Sequence, residues 1–347
     1  MKAFLVRNRW WMTRTLVLPV HLFVFSVCAF FLVRLIPGNP VLARMDLSGG
    51  FSQADYDRMA KSMGLYGSIW SQLGTFLNQL VHLNLGISNT YDEPVWSEIM
   101  SRLPPTLEVI FLGLAGAILI TLVLAAVSLT TSNRRVHAVL RGYGNLTGAI
   151  PDFALAILAI VVFYTMIPLI PAPVGRLAPG VPMPYLTGFP LLDTILAANW
   201  SDFASMCAHY AVPVLVIAFI HACGLWRQLQ LGLDEQAAEP ATLFKISSGA
   251  TRGSVYRSVL RRAAASSIVQ LGAKFGALLG GVIVLERLFG FGGVGQFALD
   301  AVSDLDFPGL QGFLIIVASL CLVAWFFVDI INMTLDPRRR PGTRVDA

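Results

Sequence analysis

Residues 106–130 read TLEVIFLGLAGAILITLVLAAVSLT, and that stretch decides the class of fold. Glu108, near its start, is its only charged side chain. An α-helix rises about 1.5 Å per residue, so a run of this length covers the roughly 30 Å of hydrocarbon in a bilayer. Such a helix has no face to offer to water. In lipid it needs none, because a helix satisfies its own backbone groups.

Working outward, comparable runs lie at Thr15–Ile36, Tyr143–Ile170, His209–Leu229, Ser267–Leu285 and Leu310–Met333. Pro151 interrupts the third, which can equally start there. The composition agrees: 56% of the 347 residues are hydrophobic and 13% are charged, against about a quarter charged in soluble domains. The expectation is an all-α integral membrane protein with six transmembrane helices.

The basic residues set the orientation. With the N-terminus in the cytoplasm, the inner pieces carry Lys2, Arg7, Arg9, Arg14, Arg134, Arg135, Arg141, Arg227, Lys245 and the arginines of 252–262 and 338–344. The outer pieces carry only Arg44, Arg58, Lys61, Arg102, Arg176 and Arg287. That asymmetry predicts both termini inside. The net charge of +5 then reports topology and gives no ground for a nucleic-acid partner. Arg34-Leu-Ile-Pro-Gly follows the first run in place of a small-residue cleavage site, so the first helix is read as retained. Cys28, Cys207, Cys223 and Cys321 form no CxxC pair and read as packing residues.

The layout follows. Residues 1–36 are the cytoplasmic N-terminus and first helix, and 37–105 a periplasmic helical cap. Residues 106–333 form the core, with a cytoplasmic loop at 230–266 and a periplasmic re-entrant segment at 286–308, and 334–347 are a cytoplasmic tail. In the cap, Ser52–Met63 opens with a capping residue and has helical composition, and Trp70–Leu83 has apolar residues at helical spacing. The cap is either a passive lid or a dock for a soluble partner. In the inner loop, polar Asp234–Gly249 precedes a basic, amphipathic helix at Ser254–Ala265, whose arginines could also rest on anionic lipid.

Some chemistry is missing. There is no Gly-Lys pair anywhere, hence no Walker-type loop to cradle phosphates, and no HExxH, GxSxG or metal-ligand spacing of His and Cys. The reading is a non-enzymatic chain without a cofactor, its energy supplied by a partner. A stand-alone ion-coupled transporter would call for several intramembrane carboxylates and inverted half-repeats. The chain has one mid-span charge, Lys274, which either snorkels to the interface or lines a hydrated pathway. Glu108 and Asp329 are expected at the interface, and Asp152 at the N-terminus of the third helix. Gly272, Gly276 and Gly280 form a ladder that lets helix backbones approach closely. Lys274 points away from that face, and a cavity-facing ammonium would favour cargo bearing a carboxylate.

The sequence resembles the permease subunits of the dipeptide, oligopeptide and nickel ABC importers. The resemblance is carried by Arg34-Leu-Ile-Pro-Gly-Asn-Pro-Val, Leu85-Gly-Ile-Ser with Pro94-Val-Trp, and Leu103-Pro-Pro-Thr-Leu-Glu. Its strongest marks are Gly280-Gly-Val-Ile-Val-Leu-Glu-Arg-Leu-Phe-Gly-Phe-Gly-Gly-Val-Gly and Asp306-Phe-Pro-Gly-Leu-Gln-Gly. It implies a type I importer fold in the bacterial inner membrane and a second, homologous permease subunit. It also implies two cytoplasmic ATPase subunits (or one fused pair), a periplasmic or lipid-anchored solute-binding protein, and a peptide-like cargo, with nickel or metal-chelate import as the alternative. The family's coupling motif falls on Glu239–Thr251, which assigns ATPase coupling to Glu239, Leu243, Phe244, Gly249, Thr251 and Arg252, with Gly249 as the motif glycine. Here the chain departs from the family, with Phe244-Lys-Ile-Ser-Ser where an alanine- and arginine-rich run is usual. Pro240 also stands where a helical residue is expected.

Overall fold

The computed structural model describes residues 2–45, 52–182 and 185–335. Among them the regular structure is helical, with one isolated β-bridge between Ile87 and Pro94. The helices are α1 (Lys2–Val33), α2 (Pro40–Arg44), α3 (Gln53–Ser62), α4 (Ile69–Val81), α5 (Val95–Thr130), α6 (Arg134–Asn145) and α7 (Asp152–Ile160). They continue with α8 (Pro190–Leu196), α9 (Trp200–Ala238), α10 (Pro240–Ser247), α11 (Arg252–Phe289), α12 (Val294–Ser303) and α13 (Phe307–Leu335). A π-helical turn, Val161–Met166, extends α7.

Among the described residues, four helices are long and apolar enough to cross a membrane: Val95–Thr130, Trp200–Ala238, Arg252–Phe289 and Phe307–Ile331. Val17–Val33 and Asp152–Met166 are apolar but shorter. The outward side chains show what surrounds them. Leu119 is 63% exposed and Val123 52%, which would be costly in water and is the normal state of a lipid-facing helix. The chain is a multi-pass membrane protein.

The residues fall into two compact units, one of 1–14, 107–291 and 321–347, the other of 15–106 and 292–320. In the first, α5, α6, α9 and α11 enclose a core of Ala125, Leu140, Trp226, Leu229, Leu233, Val259 and Ala263. The Trp226 indole N–H donates to the Leu140 carbonyl at 2.8 Å, which satisfies the one polar group of a fully buried side chain. The α5–α9 approach is close because Gly113 has no side chain, since a Cβ there would lie 2.4 Å from Ile217 Cγ2.

In the second unit, Val33, Ala301, Phe307 and Leu310 form a small core. Asn39 caps α2, and Ser52 and Asp55 make a reciprocal capping box on α3. The Ser52 cap lies where sequence puts it, and α3 and α4 occupy the two stretches expected to be helical. The loop after α4 is tied down by Asp306, whose carboxylate accepts from the Ser88 hydroxyl and from the Gly309 N–H (3.0 Å). Tyr91 donates to Asp300 at 2.9 Å, and Arg102 lies over the Tyr91 ring at 4.2 Å while pairing with Glu98 at 2.8 Å. Thr106 Oγ1 accepts from the Val294 N–H at 3.0 Å.

Four sequence expectations change. The third apolar run begins at Asp152, because residues 143–151 belong to the end of α6 and a turn. The basic stretch 254–265 is no separate helix. It is the first third of α11, since nothing between Arg252 and Leu285 interrupts a helix. Glu108, expected at the membrane interface, is covered by protein rather than open to its surroundings, with its carboxylate accepting the Leu191 N–H at 3.0 Å and the Leu192 N–H at 3.3 Å at the start of α8. Pro240 breaks nothing, because it occupies the first turn of α10, where the absent N–H is not needed.

Candidate functional site

In the first unit, the segment joining α9 to α11 carries the residues assigned to coupling. At 39 and 38 residues, these helices run about 57–58 Å each, nearly twice the hydrocarbon thickness. Both helices are longer than a crossing needs, and α10 joins the end of one to the start of the other.

Four side chains, Thr242, Gln236, Ser258 and Arg262, hold α10 in place. Thr242, buried, donates from Oγ1 to the Gln236 carbonyl at 2.7 Å. The Arg262 guanidinium donates from Nε to Gln236 Oε1 at 2.7 Å, from Nη1 to Ser258 Oγ at 2.9 Å, and from Nη2 to Thr242 Oγ1. One arginine of α11 thus ties together the end of α9, the start of α10 and its own helix. Sequence gave no signal for this clamp, because the partners are polar residues scattered over three elements.

Gly249 ends α10. The Gly249 N–H donates to the Ile246 carbonyl at 3.1 Å and the Ala250 N–H to the Lys245 carbonyl at 3.2 Å. With φ of +73° at Gly249, these two bonds make a Schellman motif. A Cβ at Gly249 would meet nothing within 4 Å, so conformation alone demands glycine here. Thr251 then caps α11 by accepting from the Ser254 N–H at 3.4 Å.

With Thr242 turned inward, α10 turns Leu243 and Phe244 outward, 55% and 72% exposed. Glu239, Thr251 and Arg252 are exposed as well. Behind α10 lies a cavity of about 550 Å³, bordered by Ser128, His137, Arg141, Asp234, Ile246 and Tyr256.

The other singled-out residues sit further along α11. A Cβ on Gly272 would lie 2.8 Å from Val328 Cγ2, and one on Gly276 3.6 Å from Cys321 Sγ, so both face α13. Gly280 has nothing within 4 Å, so the close packing within this chain spans two of the three expected rungs. Lys274 is half-buried and turned to α9, where it borders a separate pocket with Gly224, Arg227 and Gln270. On α9, His221 Nε2 lies 3.2 Å from Asp152 Oδ2, a link between α7 and α9 in addition to Asp152's place at the N-terminus of α7.

Asp193 is a buried anchor that sequence reasoning missed. It accepts from the N–H groups of Leu186 (3.1 Å), Thr187 (2.8 Å) and Gly188 (3.0 Å) and from the Thr187 hydroxyl. Burial alone would raise its pKa, but the donors led by the Thr187 hydroxyl prevail and hold it below the ordinary aspartate value.

Comparison with known proteins agrees with this arrangement. Residues 117–341 match the family model described as the binding-protein-dependent transport system inner membrane component. The chain is 31% identical to a probable D,D-dipeptide transport system permease protein of Escherichia coli K12, over 91% of this chain and 94% of that one. It is 28% identical to a dipeptide transport system permease protein of the same organism, over 94% and 96%. With a di/tripeptide transport system permease protein of Pseudomonas aeruginosa it shares 29%, over 92% and 94%. Long apolar helices, an outward-facing short helix at their joined ends and a family match over most of the chain lead to one assignment: the protein belongs to the family of binding-protein-dependent transport system inner membrane components.

Proposed function

We propose that this chain is the membrane-spanning subunit of an ATP-driven peptide importer in a bacterial inner membrane. The observation that carries the reading is α10: a short, clamped helix that presents Leu243 and Phe244 to solvent. Burying a phenylalanine side chain is worth about 1.5–3 kcal/mol, so a permanently bare Phe244 would waste that stabilisation. A groove on a cytoplasmic ATPase would recover it. Because α10 is fixed to α9 and α11 through Arg262, movement of the ATPase would swing both long helices.

The relatives named for dipeptide and di/tripeptide transport support a peptide cargo. Val17–Val33 and Asp152–Met166, about 25 and 22 Å long, complete six spans with tilt and local thinning of the bilayer. Both termini are then cytoplasmic. A second permease completes the pathway, and a solute-binding protein delivers cargo outside. Co-expression with ATPase subunits of the same transporter family tests the reading. Phe244→Ala is expected to leave membrane insertion intact while cutting ATPase co-purification and dipeptide uptake at least tenfold. Normal uptake by that variant would reject α10 as the coupling element.

A further inference from the structure

Lys274 and Arg227 share a pocket with no acid in it. The pocket measures about 350 Å³ and opens between α9, α11 and the turn after α6; Thr147, Gln228, Leu231 and Gln270 are also among its walls. Two cations and two amides therefore border it, and no carboxylate among the described residues lines it; the Thr147 hydroxyl is already spent on the Gly144 carbonyl at 2.7 Å. Gly224 makes the arrangement possible. A Cβ at that position would lie 3.2 Å from both Cε and Nζ of Lys274 and 3.4 Å from Thr147 Cγ2. The lysine lies against α9 because α9 has no side chain there.

An anion entering this pocket would meet both cations at once, half-buried Lys274 and exposed Arg227. The set of donors suits an anion with two acceptor oxygens. The guanidinium can offer a parallel pair of N–H groups, the ammonium a point charge, and the two amides further N–H donors. The volume is at the lower end for small-molecule pockets, enough for one terminal residue of a peptide and too small for the whole cargo.

We infer that Lys274 and Arg227 form a carboxylate site for the C-terminus of the peptide in transit. The inference rests on the importer reading above and adds the part of the cargo that this chain recognises. Gln228 and Gln270 complete the donor set, and Gly224 keeps the space open.

Lys274 is one of four lysines, with Lys2, Lys61 and Lys245, so a ¹³C-dimethyl-lysine signal is assignable through Lys274→Gln. Methylation keeps the charge. In the assembled importer, held in zwitterionic nanodiscs, acetate and Ala-Ala are expected to shift the Lys274 signal, while Ala-Ala amide leaves it in place. Arg227→Gln should weaken the Ala-Ala response roughly tenfold, the scale of one charged hydrogen bond. Gly224→Leu should abolish it. In proteoliposomes, Lys274→Gln should lower Ala-Ala uptake roughly tenfold relative to Ala-Ala amide. Equal losses for acid and amide would reduce Lys274 to a structural role and overturn the inference. A shift caused by phosphatidylglycerol but not by acetate or Ala-Ala would make this a lipid site and overturn it too. A wild-type importer that hydrolyses ATP yet moves neither peptide would reject the peptide reading itself. In that case the acetate titration still decides whether the anion site exists.

Discussion

Gly249 and Asp193 each hold a turn, one by conformation and one by accepting hydrogen bonds. At Gly249 there is open space for a side chain but a φ of +73°, which costs a β-branched residue about 1–2 kcal/mol. Gly249→Val should therefore unwind the end of α10, leave membrane insertion intact and weaken ATPase co-purification about tenfold. Gly249→Asn, which tolerates the left-handed region, should retain most of it. Equal behaviour of the two variants would show that conformation is not what matters there. Asp193 gives a pH dependence. Its folded-state pKa is held below the ordinary value, so its contribution is complete above the unfolded value and is lost as pH falls through the depressed one. Amide protection across 186–196, corrected for the intrinsic pH dependence of exchange, should fall on acidification in the wild type. Asp193→Asn should exchange fast at neutral pH and lose that dependence, having given up roughly 1–3 kcal/mol of acceptor interactions. An unchanged wild-type profile in acid would contradict the role.

At the scale of elements, α10 is stable because of its neighbours. Eight residues cannot form a lasting helix alone, and Thr242, Gln236 and Ser258 converge on Arg262 to hold it. Arg262→Ala would leave buried Thr242 with one partner fewer and cost about 1–3 kcal/mol locally. The expected result is faster amide exchange confined to 239–250 and looser coupling of ATP hydrolysis to uptake, with α9 and α11 unchanged. If exchange in α10 is unaffected, the clamp is not what orders it. This clamp was illegible in the sequence for a physical reason: Arg262 and Thr242 are 20 residues apart and meet only after α9 and α11 have packed. Gly249 was legible because the family resemblance supplies a motif glycine there, and the left-handed turn it makes is a local requirement. The same division runs through the helices. Ser52 announces α3 by its cap, whereas α6 escaped notice among the basic residues that signal topology. The lengths of α9 and α11 were underestimated because hydropathy marks where lipid ends and says nothing of where a helix ends. Glu108 misled for a related reason, since its partner is the backbone of α8, which no side-chain pattern reveals.

For the molecule as a whole, the apolar runs and the distribution of Lys and Arg carry nearly all that sequence could offer. They gave the class and the order of spans, and they were silent on α10's clamp and on Gly224 beneath Lys274. The same distribution makes the topology testable. Among the described residues, four helices are long and apolar enough to cross, which alone would leave an even number of crossings and both ends on one side. Adding Val17–Val33 and Asp152–Met166 keeps the ends together and reverses the segments between them. With four spans, Gly67 and the α9–α11 connection have fixed sides set by α5 and α9 alone. Gly67 would then share a side with the N-terminus, and Arg134 and Arg176 would share the other. With six spans, reporters at Gly67, Arg134, Arg176 and Arg252 alternate out, in, out, in. The basic residues favour the six-span pattern, because it gathers Arg134, Arg135 and Arg141 on the same side as Arg252, Arg257, Arg261 and Arg262. The four-span pattern separates those two groups across the bilayer. Paired alkaline phosphatase and fluorescent-protein fusions distinguish the cases directly. Gly67 outside and Arg134 and Arg252 both inside is the expected result, with α10 then facing the compartment that holds ATP. Arg134 and Arg176 both inside would remove Asp152–Met166 as a span and, across α9, put α10 outside, away from any cytoplasmic ATPase.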